Sequence, residues 1–190
     1  MANEVLQKVG TQIIFADHAT DFSGGATKNS LEVAGTDVQI DLTGLADDAG
    51  RESAKFDFGP TRAARYSCMA VIESDGTGFT TGHTIDFYLA SSPISTDANG
   101  NPGQIDGADA AAPSGYGTLD ELLQQCLFIG SLIVENTAST VQVGQVGVFS
   151  PPERYGILIV VNRGDQTIDA TGGTADQHHV VFNPIVDEVQ

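Results

Sequence analysis

The chain has 190 residues, of which 41% are hydrophobic and 17% are charged. This composition suffices for one well-buried core, so we expect a single domain at residues 11–190, preceded by an N-terminal arm at residues 1–10. Lys and Arg number 8 against 25 Asp and Glu, and the net charge of -17 disfavours binding to nucleic acids and anionic membranes. The N-terminus has no basic segment followed by an apolar run, and the apolar stretches are strand-sized. We therefore expect neither an export signal nor a membrane span.

Short apolar runs predict a protein made mostly of β-strands. Val5, Leu6 and Val9 at the start have the spacing of one helical turn. After them, alternating or continuous apolar patterns typical of strands occur at residues 11–15, 38–42, 55–58, 65–72, 84–90, 127–134, 141–149, 155–161 and 177–182. We expect Pro184 to end the last strand. Turn residues separate the strands and no βαβ alternation is present, which favours an all-β fold, an antiparallel β-sandwich of the jelly-roll type.

Two of these predicted strands have unusual patterns. The segment 127–134, LFIGSLIV, is apolar at both sets of alternating positions, which predicts a strand buried between two layers. In the segment 141–149, the valines before Gly144 are out of phase with the valines after it. A β-bulge near Gly144 would restore the alternation.

One short helix is predicted near residues 118–126. Thr118 and Glu121 have the spacing of a capping box, in which each side chain accepts a hydrogen bond from the backbone N–H of the other residue. Apolar residues then recur on one helical face at Leu119, Leu122, Leu123 and Cys126. A helix of two turns is marginal alone, so we expect this face to pack on a sheet.

The longest segment without a periodic pattern is residues 91–117. Loops of this length in compact domains are usually functional or disordered, so this loop is where we first expect partner contacts. Within it, Asp97, Asn99 and Asn101 resemble the first ligands of a calcium-binding loop. Pro102 then stands where the sharp turn requires glycine, and no Glu occupies the twelfth position. An ordinary Asn-Gly turn is therefore favoured over bound calcium.

The histidines do not form a metal-binding pattern. His178 and His179 are adjacent, so in a strand their rings would point to opposite faces and could not share a metal. His18 and His83 lie alone in loops. We therefore expect no metal catalysis by histidine.

Other short motifs have structural explanations. The cell-adhesion tripeptide RGD at residues 163–165 is expected to form a turn next to a strand. GTGFTTG at residues 76–82 misses the spacing of a dinucleotide-binding loop and is expected to be a hairpin loop. The sequence contains no nucleophile elbow and no GKS or GKT motif. Cys68 and Cys126 both lie in apolar segments, which favours two reduced, buried thiols over a disulfide.

Sugar binding is the main functional alternative, since many jelly rolls are lectins. Their sites commonly stack an aromatic ring on the sugar, and this chain has no Trp. Tyr66, Tyr88 and Tyr155 fall within or beside predicted strands, where they can belong to the core. Tyr116, in the long loop, is the obvious exposed candidate.

The blocks GTLDELLQQCLFIGSLIVEN at 117–136 and VGQVGVFSPPERYGILIVVN at 143–162, with the acidic charge and the lack of a reactive motif, carry a family resemblance. The chain resembles the small jelly-roll virion proteins of tailed bacteriophages, the capsid decoration or cement class. The resemblance implies trimers on the outer capsid surface, at symmetry axes between hexamers, that reinforce the shell non-covalently. No binding residue carries over, because no motif position matches one to one.

We therefore expect a non-enzymatic virion structural protein that works as an oligomer, favouring a trimer, with the major capsid protein as its partner. We expect no catalytic residue, cofactor or metal, and a location on the capsid surface. A lectin-like module and another virion component, such as a tail or head-fibre protein, are the alternatives.

Overall fold

The computed structural model describes residues 5–9, 11–20, 22–24, 29–60, 62–138, 140–169 and 178–189. The predicted all-β sandwich is confirmed, since the described residues form twelve strands in two sheets with one α-helix. The strands are β1 (Val5–Val9), β2 (Gln12–Ala16), β3 (Gly35–Gln39), β4 (Gly50–Glu52), β5 (Phe56–Asp57), β6 (Arg65–Glu73), β7 (Thr84–Ser92), β8 (Ala110–Ala112), β9 (Leu127–Ile133), β10 (Val141–Phe149), β11 (Tyr155–Arg163) and β12 (His179–Val189). Helix α1 spans Leu119–Leu123, and a 3-10 turn spans Pro102–Gln104.

Each sheet combines strands from distant parts of the chain. Sheet A has the order β10-β6-β12-β2-β3, and β1 pairs with β12 beside this row. Sheet B has the order β8-β4-β11-β7-β9, and β5 pairs with β11. The chain crosses between the sheets at β3 to β4, β5 to β6, β6 to β7, β9 to β10, β10 to β11 and β11 to β12. This arrangement is compatible with the expected jelly-roll topology.

One pair among the described strands departs from the antiparallel prediction, because β3 runs parallel to β2. β3 also lies earlier in the chain than the strand predicted at 38–42. The alternation that predicted that strand is still correct about burial, since Val38, Ile40 and Leu42 all point into the core. The alternation of apolar and polar residues therefore predicted correctly which side chains point inward, but it did not predict which strand pairs with this segment.

β12 continues through Pro184, so the prediction that this proline ends the strand is wrong. On one side, β12 pairs with β2 as far as Phe182 and then with β1 from Ile185 onward. Pro184 therefore lies where β12 changes partners on that side. A proline, which lacks an N–H donor, is tolerated at such a junction.

Three short strands were not predicted. β1 pairs with the end of β12, so residues 5–9 form a strand of sheet A and the expected helical turn is wrong. Residues 1–4 and 10 of the expected arm lie outside the described residues. β4 and β8 pair with each other, and each has only three residues, which is too short for a periodic pattern to be recognised.

Five phenylalanines form the centre of the core between the two sheets. The ring of Phe182 lies 4.7 Å from that of Phe15 and 4.8 Å from that of Phe149, measured between centroids. Phe56 packs on Phe15 at 4.9 Å and on Phe58 at 4.8 Å. These pairs have edge-to-face geometry, which suits the quadrupoles of the rings. The cluster joins residues of β2, β5, β10 and β12 and so ties sheet A to sheet B.

A second apolar cluster lies on the outer face of sheet B, under α1. The predicted capping box is confirmed: the N–H of Glu121 donates to Thr118 Oγ1 at 3.3 Å, and the N–H of Thr118 donates to Glu121 Oε2 at 2.8 Å. Leu122 is fully buried and packs with Ile105 of the long loop and with residues of β7 and β11. The other predicted contact residues, partly buried against this cluster, are Leu119, Leu123 and Cys126. The helix therefore packs on a sheet as expected.

Candidate interaction surface

β9 is an edge strand of sheet B and its outer face is open, so the prediction of a strand buried between two layers is wrong. Ile129 and Leu132 point into the core, whereas Phe128 is 52% exposed and Ile133 is 68% exposed. Among the described residues, the apolar cluster under α1 draws on β7 and β11 but not on β9. A strand covered on both faces and an apolar strand at a sheet edge have the same sequence pattern, which explains the error.

β9 and β10 belong to different sheets, yet their backbones approach closely at two glycines. A Cβ atom on Gly130 would overlap the carbonyl oxygen of Val146, and one on Gly147 would overlap that of Ile129. The predicted β-bulge is confirmed in β10 and lies between Gln145 and Gly147, at this contact. The two edge strands therefore shield each other's backbone and close this side of the sandwich.

The side chains that point outward from these two strands are unusually apolar. Of the eight large hydrophobic side chains exposed in the described residues, five lie here, with exposed fractions between 38% and 68%. These five residues, which we call the β9–β10 face, are Leu127, Phe128, Ile133, Val143 and Val148. The close approaches of Gly130 to Val146 and of Gly147 to Ile129 mean that the two strands run antiparallel, and in this register the position of Val148 is next to that of Phe128. The same alignment places Ile133 beside Val143, and both residues line one shallow groove.

The groove at the Ile133 end of the face has mainly uncharged walls. Thr137 and Thr140 line it together with the apolar residues. Gln142 accepts a hydrogen bond from the N–H of Glu135 at 2.9 Å and donates to its carbonyl oxygen at 3.0 Å. These two bonds fix the connection between β9 and β10, which forms part of the groove wall.

The face lies within a nearly uncharged stretch of an acidic protein. The 31 residues from Leu122 to Pro152 contain one charged residue, Glu135, whereas the whole chain contains 8 Lys and Arg and 25 Asp and Glu. Apart from Glu135, the acidic residues of the chain therefore lie outside this stretch, and one of them, Asp86 of β7, accepts a hydrogen bond from the hydroxyl of Ser131 in β9 at 2.6 Å.

Several positive side chains outside this stretch are paired with polar or acidic groups of the same chain. Arg51, Arg154 and Arg163 each pair with an Asp, at N–O distances of 2.6, 2.7 and 2.5 Å. Lys55 donates to two backbone carbonyls of the long loop, at 2.8 and 2.9 Å. Since these cations are occupied, the surplus carboxylates dominate the surface outside the β9–β10 face.

The long loop at 91–117 folds back on sheet B, and its Asp and Asn side chains do not form a cation site. Asn101 Nδ2 donates to the carbonyl oxygens of Asp97 and Ile105, at 2.6 and 2.7 Å. The ammonium group of Lys55 bonds to the carbonyl oxygen of Asn99. Calcium requires oxygen ligands, and here hydrogen-bond donors fill the space among the carbonyls.

His178 and His179 are buried and bonded to different segments of backbone. The N–H of Glu73 donates to His178 Nδ1 at 3.3 Å, and His178 Nε2 lies 3.2 Å from the carbonyl oxygen of Asp169. The N–H of Leu31 donates to His179 Nε2 at 3.0 Å. Each ring therefore has a structural role in joining sheet A to neighbouring loops.

The remaining histidines are also separated. His18 Nε2 lies 3.0 Å from the carbonyl oxygen of Ile14, and His83 is exposed in the turn before β7. Within the described part of the chain, no three His, Cys, Asp or Glu side chains are grouped as a metal ion would need.

The tripeptide at 163–165 and the glycine-rich loop at 76–82 form one turn region. Asp165 accepts hydrogen bonds from the N–H of Thr80, at 2.9 Å, and from its hydroxyl group. These bonds lower the pKa of Asp165. Phe79, within the glycine-rich loop, is fully buried in the core. Both motifs thus serve packing. The loop joins β6 of sheet A to β7 of sheet B, so it crosses between the sheets and the prediction of a hairpin loop is wrong.

Both cysteines are free, so the disulfide alternative is excluded. Cys68 is buried between the sheets, whereas Cys126 packs under α1 on the outer side of sheet B and is only partly buried. Desolvation raises the pKa of both thiols, that of Cys126 to about 12. A thiol that does not ionise near neutral pH is a poor nucleophile.

Tyr116 is exposed, as sugar binding would require, with 76% of its surface accessible. It lies in a shallow recess with Glu121, Gln124 and Gln125. The carboxylate of Glu121 is engaged in the capping box, and Gln125 donates to the carbonyl oxygen of Glu121 and accepts from the N–H of Gly103. Two of the polar side chains in the recess are thus already engaged, which makes it a weaker candidate than the β9–β10 face.

A buried carboxylate, which no sequence pattern marks, fastens the long loop to sheet B. Glu52 is fully buried in β4 and accepts hydrogen bonds from the N–H of Ser114 at 2.8 Å and from its hydroxyl group at 2.7 Å. Desolvation raises the pKa of Glu52, although the two bonds from Ser114 oppose this effect; the nearby charge of Asp106 adds to the rise. Ionisation of Glu52 therefore costs stability in the folded protein.

Glu52→Gln should make the protein more stable than wild type above the raised pKa of Glu52, because glutamine resembles the neutral acid and keeps an acceptor for the Ser114 N–H. An acid with a raised pKa contributes stability below its ordinary pKa of 4.5 and loses it as the pH rises through the folded value. The advantage of Glu52→Gln should therefore disappear below pH 4.5. Urea unfolding at several pH values measures this difference.

The control for this substitution is Glu153→Gln, which removes one charge from an exposed glutamate. Its stability should follow wild type across the pH range. A Glu52→Gln protein that is less stable than wild type at every pH would show that the charged hydrogen bonds outweigh the cost of burial.

Comparison of the chain with protein-family models, with curated proteins and with solved structures found no match. Among the described residues, no helix has the length and apolar character required to cross a membrane.

Sequence reasoning missed the β9–β10 face, although two signals for it were present. Segment 127–134 is apolar at both sets of alternating positions, and the uncharged stretch from Leu122 to Pro152 surrounds it. Read together, an apolar strand pattern and a local lack of charge indicate a surface that contacts another protein.

Proposed function

We propose that this protein is a non-enzymatic structural protein that works through protein–protein contact, of the virion capsid decoration class that its sequence resembles. The observation that carries the proposal is the β9–β10 face, an apolar and uncharged surface on an otherwise acidic protein. Contiguous exposed apolar surface on a soluble domain usually marks an interaction site, and depletion of charge is typical of the centre of protein interfaces.

The charge distribution supports a position on the outside of a capsid. A chain with a net charge of -17 is repelled by packaged nucleic acid. The same charge keeps a protein soluble at a high copy number. An acidic sandwich with one apolar face can therefore accumulate in solution and still contact another protein chain through that face.

The engagement of polar side chains supports a structural rather than an enzymatic role. The ring nitrogens of His178 and His179 bond to backbone, and the carboxylate of Asp165 bonds to Thr80. The thiols of Cys68 and Cys126 have raised pKa values. Groups of this kind stabilise loops and sheets, and they are not grouped around a common cleft.

Co-sedimentation with capsids tests this proposal. Capsids assembled from the major capsid protein encoded in the same genome, and prepared without this protein, should bind it saturably. Bound capsids should also dissociate at a higher temperature than bare ones, because ligands that bind only the assembled state stabilise it. Absence of binding at saturating concentration, or turnover of an ester or glycoside by the purified protein, would contradict the proposal.

A further inference from the structure

We propose that a second copy of this chain covers the β9–β10 face, so that the protein self-associates through β9 and β10. This inference rests on the proposed function, since it names the partner that contacts the same face. It also implies that a capsid contact would use a different surface of the protein.

The first support comes from the mismatch between the sequence of β9 and its surroundings. A strand that is apolar at both sets of alternating positions is normally covered on both sides. In the single chain, core residues cover the inner side of β9, but Phe128 and Ile133 remain 52% and 68% exposed. A second copy would supply the missing cover.

The charge of the protein favours a copy of itself over other partners at this face. Each copy has a net charge of -17, so most contacts between two copies would bring carboxylates together. The stretch from Leu122 to Pro152 contains one charge, that of Glu135, so a contact through it reduces this repulsion. A basic partner would instead be attracted to the acidic surfaces elsewhere, where charge complementarity is available.

The backbone geometry determines how the copies would meet. One edge of β9 pairs with β7, and one edge of β10 pairs with β6. The remaining edges of β9 and β10 face each other at the close approach of Gly130 and Gly147. An added strand is therefore not the mode of contact. The contact is made by side chains, with apolar residues at the centre and a polar rim of Thr137, Thr140 and Gln145, in which Glu135 is the charged member.

The face is suited to the centre of an interface rather than to the whole of it. A stable interface buries about 800 Å² on each partner, of which a small group of central apolar side chains supplies most of the binding energy. The pair Phe128 and Val148 and the pair Ile133 and Val143 provide such a group. The groove beside Ile133 can receive a side chain from the other copy.

Sedimentation equilibrium with a matched pair of variants tests the proposal. Wild type should have a mass that is a multiple of the chain mass at micromolar concentration. Val143→Asp should weaken the association at least about tenfold, because it places an unpaired carboxylate in an apolar contact. Val33→Asp is the control, since Val33 is 84% exposed and lies outside the face. It should associate like wild type.

Circular dichroism and thermal unfolding would show whether each variant is folded. If Val143→Asp does not fold, Ile133→Ser on the neighbouring strand repeats the test with a smaller change. A monomeric wild type at tens of micromolar, or equal effects of Val143→Asp and Val33→Asp, would overturn the proposal.

The capsid assay separates this inference from the proposed function. A wild-type protein that is monomeric yet binds capsids would overturn self-association and leave the function standing. A protein that self-associates through this face but does not bind capsids would overturn the proposed function and leave self-association standing.

Discussion

Phe182→Ala is expected to destabilise the protein by about 3–5 kcal/mol, the usual cost of removing a buried phenylalanine ring from a core. Phe182 is fully buried and contacts Phe15 at 4.7 Å and Phe149 at 4.8 Å, so the cavity would open among other rings. These neighbours belong to β2 and β10, which are fixed in sheet A by strand pairing, and so they cannot easily collapse into the space. The melting temperature should fall by about 6–20 °C, because each 1 kcal/mol lowers it by about 2–4 °C in a domain of this size.

Phe128→Ala is the matched control, because it removes the same side chain from a position that is 52% exposed. Its ring contacts Tyr88 at 5.1 Å, and its loss should cost no more than about 1 kcal/mol in a dilute, monomeric sample. Urea unfolding of both variants at low protein concentration measures the difference. Similar losses for the two variants would mean that Phe182 is not at the centre of the core.

Gly147→Ala is expected to destabilise the protein by about 1–3 kcal/mol or more, although it adds a single methyl group. The new Cβ would overlap the carbonyl oxygen of Ile129, and backbone on both sides limits the movement that could relieve the clash. β9 and β10 would be pushed apart, and the alignment of Phe128 with Val148 would be lost. Self-association should therefore weaken along with stability.

Gly76→Ala is the control for this substitution, since a Cβ at Gly76 would meet no atom within 4 Å. Its stability should stay within about 0.5 kcal/mol of wild type. Thermal unfolding and sedimentation of the two variants give the comparison. If Gly147→Ala is as stable as Gly76→Ala, then the backbones of β9 and β10 are too far apart for a Cβ atom at Gly147 to clash.

Patterns that depend on neighbouring residues were readable from the sequence. The capping box of Thr118 and Glu121 needs only a spacing of three residues, and the bulge in β10 follows from valines that change phase. Alternation located the inward side chains of β7, namely Ile85, Phe87 and Leu89. These features are local, so the chain specifies them wherever the segment is placed.

Features that depend on which segments become neighbours were not readable. The parallel pairing of β3 with β2 and the passage of β12 through Pro184 both follow from the choice of partner strand. The contacts of Glu52 with Ser114 and of His178 with Glu73 join residues far apart in the chain. No spacing rule relates such residues, because the sheet brings them together only after folding.

The β9–β10 face shows the division between the two kinds of information. The sequence alone determined that β9 is a strand, that it is apolar at both sets of alternating positions and that the segments before and after it in the chain carry almost no charge. Only the tertiary structure decided that β9 lies at a sheet edge, next to β10 of the other sheet, with its outer side uncovered. The residue pattern specifies which side chains are apolar, whereas the packing of the whole chain decides which of these side chains are buried within a single copy.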